Sequence, residues 1–153
     1  MDQLSVAWRM GNKANLFLLN AIKARHLGDR YFPRTRTVAA QFAHMHNVRL
    51  RWLTHAAPDL AAQVAQFPGG AELTKEDLLG ALAASSEVVA VYLDKCEETG
   101  NVDHWSGPPA SFLAYLLAHE AHHRGLIMAS LRASGHKQPD EVIYGLWEWG
   151  KKR

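Results

Sequence analysis

The sequence contains a single cysteine, Cys96, so the chain cannot form an internal disulfide bond. It begins without the basic, apolar and small-residue zones of a signal peptide, and no apolar run approaches the ~20 residues that span a bilayer. These absences predict a cytoplasmic protein without a membrane partner. Cys96 lies between Lys95 and Glu97 in a charged helix end, which favours a bystander thiol over a nucleophile or a metal ligand.

The sequence also lacks a strong excess of one charge. Its 17 lysines and arginines nearly balance 15 acidic residues, and the formal net charge is +2. Proteins that bind nucleic acids usually concentrate basic residues on one face, because phosphate neutralisation dominates their affinity. Here the arginines are scattered, and the nearest candidates, Arg34 with Arg36 and residues 151–153, are interpreted as solvated ends of elements. We therefore expect no nucleic-acid partner.

The alternation of apolar and polar residues that is typical of strands is missing, and helical periodicity runs through most of the chain. Apolar residues at steps of three and four, with capping and breaking signals, predict four long helices and a shorter last one. Their predicted bounds are about 4–26, 35–55, 74–98, 109–134, and 139 or 140 to 149. A length of 153 residues predicts one domain over residues 1–153. The predicted fold is all-α, a four-helix bundle with an additional short C-terminal helix.

Two histidines with the spacing of metal ligands lie in the fourth predicted helix. His119 and His123 are four residues apart, so they lie about 40° and one turn apart on a helix and can converge on one ion. They fall within an apolar stripe, where an imidazole must find a partner. The second predicted helix carries His44 and His46 and can supply a third nitrogen. Three protein nitrogens with an open position are typical of metal sites that do chemistry.

His122 complicates the choice of ligands. It lies about 60° from His119 on the side opposite to His123, so it could lie beside the ligands, face the helix surface or replace a ligand. A hydrogen-bonded core histidine is the ordinary alternative for one histidine on an apolar face. A pair at metal-ligand spacing, with a further histidine on another helix, favours the metal.

The string His119-Glu120-x-x-His123 also matches the HExxH pattern of zinc metalloproteases, in which the glutamate is the general base. Glu141 lies at a suitable distance downstream to be the third ligand. Such proteases present the substrate along a strand edge, and this chain offers no predicted sheet. A metallohydrolase is therefore a remote alternative.

Several polar residues are candidates for the surroundings of a metal or a substrate pocket. Asn12 and Asn15 lie on the apolar face of the first predicted helix and could line the cavity, contact a substrate or be satisfied polar groups of the bundle. Arg124 and Arg49 could bind an anionic substrate group, although ion pairing is the commoner use of such arginines. No catalytic residue is singled out by the sequence.

Three motifs together resemble the DinB/YfiT-like proteins. They are Phe42-Ala43-His44-Met45 in the second predicted helix, His119-x-x-His122-His123-Arg124-Gly125 in the fourth, and Gly145-Leu146-Trp147-Glu148-Trp149 near the end. The resemblance covers essentially the whole chain, and the His-His-Arg-Gly run after a preceding histidine is its most specific part. The glutamine that often follows that glycine in the family is Leu126 here.

The resemblance implies a four-helix bundle that binds one divalent metal per chain through three histidines, frequently as a homodimer. Carried over by position, the ligands are His44, His119 and His123, and His46, about 200° from His44 around the helix, then faces elsewhere. Imidazole-rich sites accept zinc, nickel, iron and manganese, so the sequence does not distinguish between these metals. Aromatic residues near the C-terminus are expected to cover the bundle or to join a dimer interface: Tyr144, Trp147 and Trp149.

Several relatives implied by the resemblance are transferases or isomerases that use a low-molecular-weight thiol, such as bacillithiol or mycothiol, activated by the metal as thiolate. A bound divalent ion stabilises a deprotonated sulfur directly, so this chemistry suits the site. We therefore expect a metal-dependent enzyme of the low-molecular-weight-thiol S-transferase or isomerase type with a small-molecule substrate. The alternatives are a non-catalytic metal-binding protein and a stress-response interaction protein.

Overall fold

The computed structural model describes residues 2–150, and this part of the chain is all-helical without a strand. It contains six α-helices: α1 (Gln3–Ala21), α2 (Val38–Ala56), α3 (Pro58–Ala61), α4 (Lys75–Thr99), α5 (Pro109–Ala133) and α6 (Asp140–Gly145). The predicted all-α class is confirmed. Met1 and residues 151–153, the two ends of the predicted domain, lie outside the described residues. Among the described helices, none combines the length and the apolar character needed to cross a bilayer.

The first helix ends earlier than its apolar periodicity predicts. α1 stops at Ala21, Ile22 adopts an extended conformation, and a single 3-10 turn follows at Ala24–His26. The ammonium group of Lys75 donates hydrogen bonds to the carbonyl oxygens of Asn20 at 2.7 Å and Ile22 at 2.8 Å. A cation from a distant part of the chain therefore satisfies carbonyl groups at this helix end and stabilises it.

The last helix is also shorter than predicted, because α6 ends at Gly145 and not at residue 149. After Gly145, which is a poor helix former, the chain continues in turns. The indole N–H of Trp149 donates to the carbonyl oxygen of Leu146 at 3.0 Å. The side chain of Trp149 thus folds back on this turn.

Helices α4 and α5 begin at signals read from the sequence, whereas α2 begins at Val38, three residues later than predicted, after the capping residue Thr37. Thr74 and Asp77 form a reciprocal capping box at the start of α4, in which each side chain accepts the backbone N–H of the other residue. α4 ends at Thr99, and the φ of the next residue, Gly100, is 69°, in the left-handed region that favours glycine. Pro109 occupies the first position of α5, where its missing N–H is not needed.

Helices α1, α2, α4 and α5 pack against one another as a four-helix bundle, and α3 packs on α2. The interior contains two apolar clusters. One includes Trp8, Leu53 and Phe112, and the other includes Leu18, Phe42 and Ile127. Buried polar side chains at intermediate positions along the four helices include Asn12, Asn15, Arg49, Ser85 and Glu120. These side chains form a polar layer within the bundle, and the candidate site lies beside it.

Candidate metal centre

Three histidines from two helices converge beside the polar layer. His44 belongs to α2, His119 and His123 belong to α5, and one ring nitrogen of each lies within 4.8 Å of the other two. The Nε2 atoms of His119 and His123 are 3.1 Å apart. Two nitrogens bound to one tetrahedral ion at 2.0–2.1 Å are separated by about 3.3 Å. The spacing therefore suits a shared cation.

A hydrogen bond from the neighbouring helix orients His123. Its Nδ1 lies 2.6 Å from Oε1 of Gln41, a buried residue of α2. An amide oxygen only accepts, so Nδ1 donates its proton and Nε2 keeps a lone pair toward His119. Metal-binding histidines are commonly fixed in this way by a group that does not bind the metal. Sequence reasoning missed Gln41, whose only signal is its position about one turn before His44.

The three imidazoles are held in the neutral form that binds metals. Burial, followed by the nearby rings of His119 and His44, lowers the pKa of His123 to about 3. Burial, followed by the positive charge of Arg36, lowers the pKa of His44 to about 4. Burial also lowers the pKa of His119. Because no proton has to leave these rings at neutral pH, the donor set fits a divalent cation.

The two other histidines considered as ligands lie elsewhere. The Nδ1 of His46 is 3.0 Å from the carbonyl oxygen of Ala81, and its Nε2 is 2.9 Å from that of Ala65. His122 is exposed, and its ring packs edge-on against the ring of His123 at a centroid distance of 5.0 Å. Within residues 2–150, neither belongs to the convergent group.

The glutamate of the HExxH string is held in a buried ion pair. Arg49 and Glu120 are 1% and 2% exposed, and Nε of Arg49 donates to Oε1 of Glu120 at 2.6 Å. The other carboxylate oxygen accepts a hydrogen bond from the amide of Asn15 at 2.6 Å. Because the carboxylate is buried in an ion pair with Arg49 and is also bound by Asn15, Glu120 is not placed to act as the general base of a metallohydrolase. Glu141 is exposed and lies outside the three-histidine group.

The remaining polar candidates take part in the same buried network. Asn12 accepts a hydrogen bond from Arg49 at 2.8 Å, and Asn15 accepts one from Arg124 at 2.7 Å. Arg49 also donates to two groups of α4. These side chains link the helices to one another. Of the two alternatives that the sequence left open, substrate contacts or bonds within the bundle, they form bonds within the bundle.

A second group of potential ligands lies where the α1–α2 connection meets the α5–α6 connection. His26, Asp29 and His136 each offer an atom within 4.8 Å of the others. Nδ1 of His136 lies 2.6 Å from Oδ2 of Asp29, and the two imidazole rings stack at 3.6 Å with 6° between their planes. In addition, Nε2 of His26 accepts a hydrogen bond from Nε of Arg25 at 3.3 Å, so ring nitrogens of both histidines already have protein partners. This group therefore suits a contact between two connections better than a metal.

The aromatic residues near the C-terminus are largely exposed. Trp147 is 81% and Tyr144 is 69% exposed. The expectation that they cover the bundle is therefore wrong for these two residues, because most of the surface of each side chain is open to solvent. A role in a dimer interface stays a prediction.

Comparison with known protein families agrees with this geometry. The family model described as DinB family matches residues 2–149, which is nearly the whole chain. No curated protein matches the chain. The helical bundle, the converging histidines and the family match support the same assignment. This chain belongs to the DinB family.

Proposed function

We propose that this protein is a metal-dependent enzyme of the low-molecular-weight-thiol S-transferase or isomerase type. In this proposal His44, His119 and His123 hold one divalent cation, which is zinc, nickel, iron or manganese. The observation that carries it is the convergence of three neutral imidazoles, one of them oriented by Gln41. Three protein nitrogens leave a position of a four-coordinate ion open to a substrate atom.

The chemistry follows from the donor set. A divalent cation bound there would supply the positive charge that stabilises a deprotonated thiol sulfur at neutral pH. In the transferase case such a thiolate would attack an electrophilic carbon of the second substrate: a carbon–sulfur bond would form, the leaving group would depart with its bonding electrons, and the thiol proton would pass to solvent. The chain contributes by keeping the ligand rings neutral and by holding the Nε2 lone pair of His123 toward the site.

Elemental analysis of the purified, tag-free protein tests the metal site. The wild type is expected to contain about one metal per chain, as a three-histidine site binds one ion. His44→Ala should lose the metal, and His55→Ala, an exposed histidine on the same helix, should retain it. A wild type without metal even after reconstitution would contradict the site and favour hydrogen-bonded core histidines.

A separate assay tests the enzymatic part. The metal-loaded protein is incubated with bacillithiol, mycothiol or cysteine and with monochlorobimane as electrophile. We expect thiol adducts to form with at least one thiol, and the rate to be lost in the His119→Ala/His123→Ala variant and kept in His55→Ala. Stoichiometric metal without turnover would favour the alternative, a metal-binding protein without catalysis.

A homodimer is part of the same proposal. It rests on the resemblance to the family and on the exposure of Tyr144 and Trp147, since large exposed aromatic side chains often mark interaction sites. Sedimentation velocity should give the mass of a dimer, and Trp147→Ser should shift the equilibrium toward monomer. A monomer mass for the wild type at high concentration would contradict it.

A further inference from the structure

A groove beside the candidate metal centre is lined by positive charge. It runs between α2 and the segment 67–73 and has a volume of about 260 Å³. His44 forms part of its wall, so the groove and the three-histidine group share a residue. Its lining contains two arginines, Arg36 and Arg51, and no acidic side chain.

The two arginines lie on either side of His44 along α2. Arg36 precedes the first turn of this helix and Arg51 lies in its fourth turn. At 1.5 Å per residue their backbone positions are about 22 Å apart along the helix axis, with His44 near the midpoint. Both side chains are exposed, and both contribute to the lining of the same groove.

Neither guanidinium group is bound to another of the described residues. In the described part of the chain, their guanidinium groups form no hydrogen bond and no ion pair with a protein group. Arg49 differs in this respect, because its guanidinium donates to groups of three other helices. The donors of Arg36 and Arg51 are therefore free to bind a ligand.

The positive charges of these arginines act on the histidines of the candidate metal centre. Burial is the main cause of the lowered pKa of each of the three histidines, and Arg36 contributes to all three. Arg51 contributes to the lowered pKa of His44. Positive charges without acidic partners in a concave site raise the local concentration of anions.

The outer wall of the groove is held in place from α2. The side-chain amide of Asn47 donates to the carbonyl oxygen of Phe67 at 2.9 Å and accepts the N–H of the same residue at 2.9 Å. Beyond Phe67, Gly69 and Gly70 bring bare backbone into the lining. The wall is thus fixed before a ligand arrives, as is usual for small-molecule sites.

We propose that this groove binds a small molecule with two anionic oxygen groups, one at Arg36 and one at Arg51, so that its middle lies beside His44. Arginine suits this role because its planar fork binds carboxylate and phosphate groups through two hydrogen bonds. The inference rests on the proposed function, since the groove presents the electrophilic carbon of such a dianion to the sulfur at the histidines. Asn47 is a positioning residue for the wall.

Adipate, a linear dicarboxylate, tests the groove, and hexanoate, with one carboxylate on a chain of the same length, is its matched control. The full-length protein is titrated with each at low salt, as purified and after chelator treatment, while the amide NMR signals of Gly69 and Gly70 are followed. Adipate is expected to bind roughly tenfold or more tightly than hexanoate, because a second charged hydrogen-bonded group adds at least this factor. Added salt should weaken the binding.

Two double variants remove the same charge from different places. Arg36→Ala/Arg51→Ala should abolish adipate binding, and Arg34→Ala/Arg132→Ala, which changes exposed arginines outside the groove, should leave it unchanged. Wild type that binds neither compound, equal affinity for both, or unchanged adipate affinity in the groove variant would each overturn the inference. Elemental analysis decides the metal site independently, so failure of the groove and failure of the proposed function are distinguishable.

Discussion

At the scale of single residues, Gln41 connects the candidate metal site to the packing of two helices. It belongs to α2, whereas the ring that it orients, His123, belongs to α5. Without this acceptor the His123 ring could rotate or carry its proton on Nε2, the atom that faces His119. The geometry of the site thus depends on a side chain that binds no metal.

Gln41→Met keeps the side-chain volume and removes the acceptor. We expect it to weaken metal binding about 10- to 100-fold, the usual effect of removing a group that orients a ligand. Competition between the protein and a chelator for Co²⁺, followed by the visible absorption of the ion, measures this affinity. Gln66→Met, at an exposed glutamine, is the matched control. Equal affinity in the Gln41 and Gln66 variants would contradict the role of Gln41.

The lowered pKa values predict how metal affinity depends on pH. Three histidines with the ordinary pKa of about 6.5 would lose roughly a thousandfold in affinity between pH 7.5 and pH 5.5, because protons compete at each ring. Here protons compete only near pH 4 for His44 and near pH 3 for His123. The pKa of His119 is also lowered, so protons compete for this ring at a lower pH than for an ordinary histidine. The Co²⁺ affinity should therefore fall far less than a thousandfold over this range. A steep loss already at pH 6 would show that the rings titrate normally.

At the scale of elements, a buried ion pair and the hydrogen bonds around it join all four long helices. Arg49 on α2 binds Glu120 on α5, and the same guanidinium donates to Asn12 on α1 and to the carbonyl oxygen of Leu82 on α4. A buried charge is tolerated only when it is paired and hydrogen-bonded. This network therefore requires the four helices to meet at one height and in one rotation.

Arg49→Met leaves the carboxylate of Glu120 buried without its partner. We expect the free energy of unfolding to fall by about 3–5 kcal/mol, the usual cost of breaking a buried pair from one side. Urea denaturation measures this change. Arg51→Met, at an exposed arginine on the same helix, should change stability by less than about 0.5 kcal/mol.

The double variant Arg49→Met/Glu120→Gln separates charge from packing. Removing both charges should recover much of the stability lost in Arg49→Met, because no unpaired ion remains. If the double variant were as unstable as the sum of the two single variants, the loss would come from packing and not from an unpaired charge.

The helix boundaries show which elements could be predicted from the sequence. The start of α4 and its end were predicted correctly, because the capping box of Thr74 and the left-handed Gly100 act within one turn of the chain. The end of α1 was not, because the group that satisfies its last carbonyls is Lys75, which is remote in sequence. Periodicity describes a helix face and carries no information about such a partner.

At the scale of the whole molecule, a cation at the three histidines would connect α2 to α5. Along the chain these two helices are separated by α3 and α4. Binding to the folded state alone stabilises it by about 2.7 kcal/mol when free metal is 100 times the Kd. For a chain of this size we expect Tm to rise by about 5–10 °C. Differential scanning calorimetry with and without metal measures the shift. His44→Ala should abolish it and His55→Ala should preserve it, whereas a shift that persists in His44→Ala would place the metal elsewhere.

The sequence by itself determined the helices, the all-α class and the pairing of His119 with His123. These are local properties: a residue period of 3.6 and a spacing of four place side chains on one face of any helix. The motifs around His44 then suggested the third member of the group by resemblance. The structure brings the three rings together, and their role as ligands stays a proposal.

Only the tertiary structure decided what surrounds these histidines. Gln41 orients His123 from another helix, Glu120 is removed from the site by Arg49, and segment 67–73 becomes a groove wall through Asn47. Each of these contacts joins residues on different elements. The hydrogen bonds between them form with good geometry only when the helices have packed at a particular rotation and height. The sequence of a single helix does not specify that arrangement.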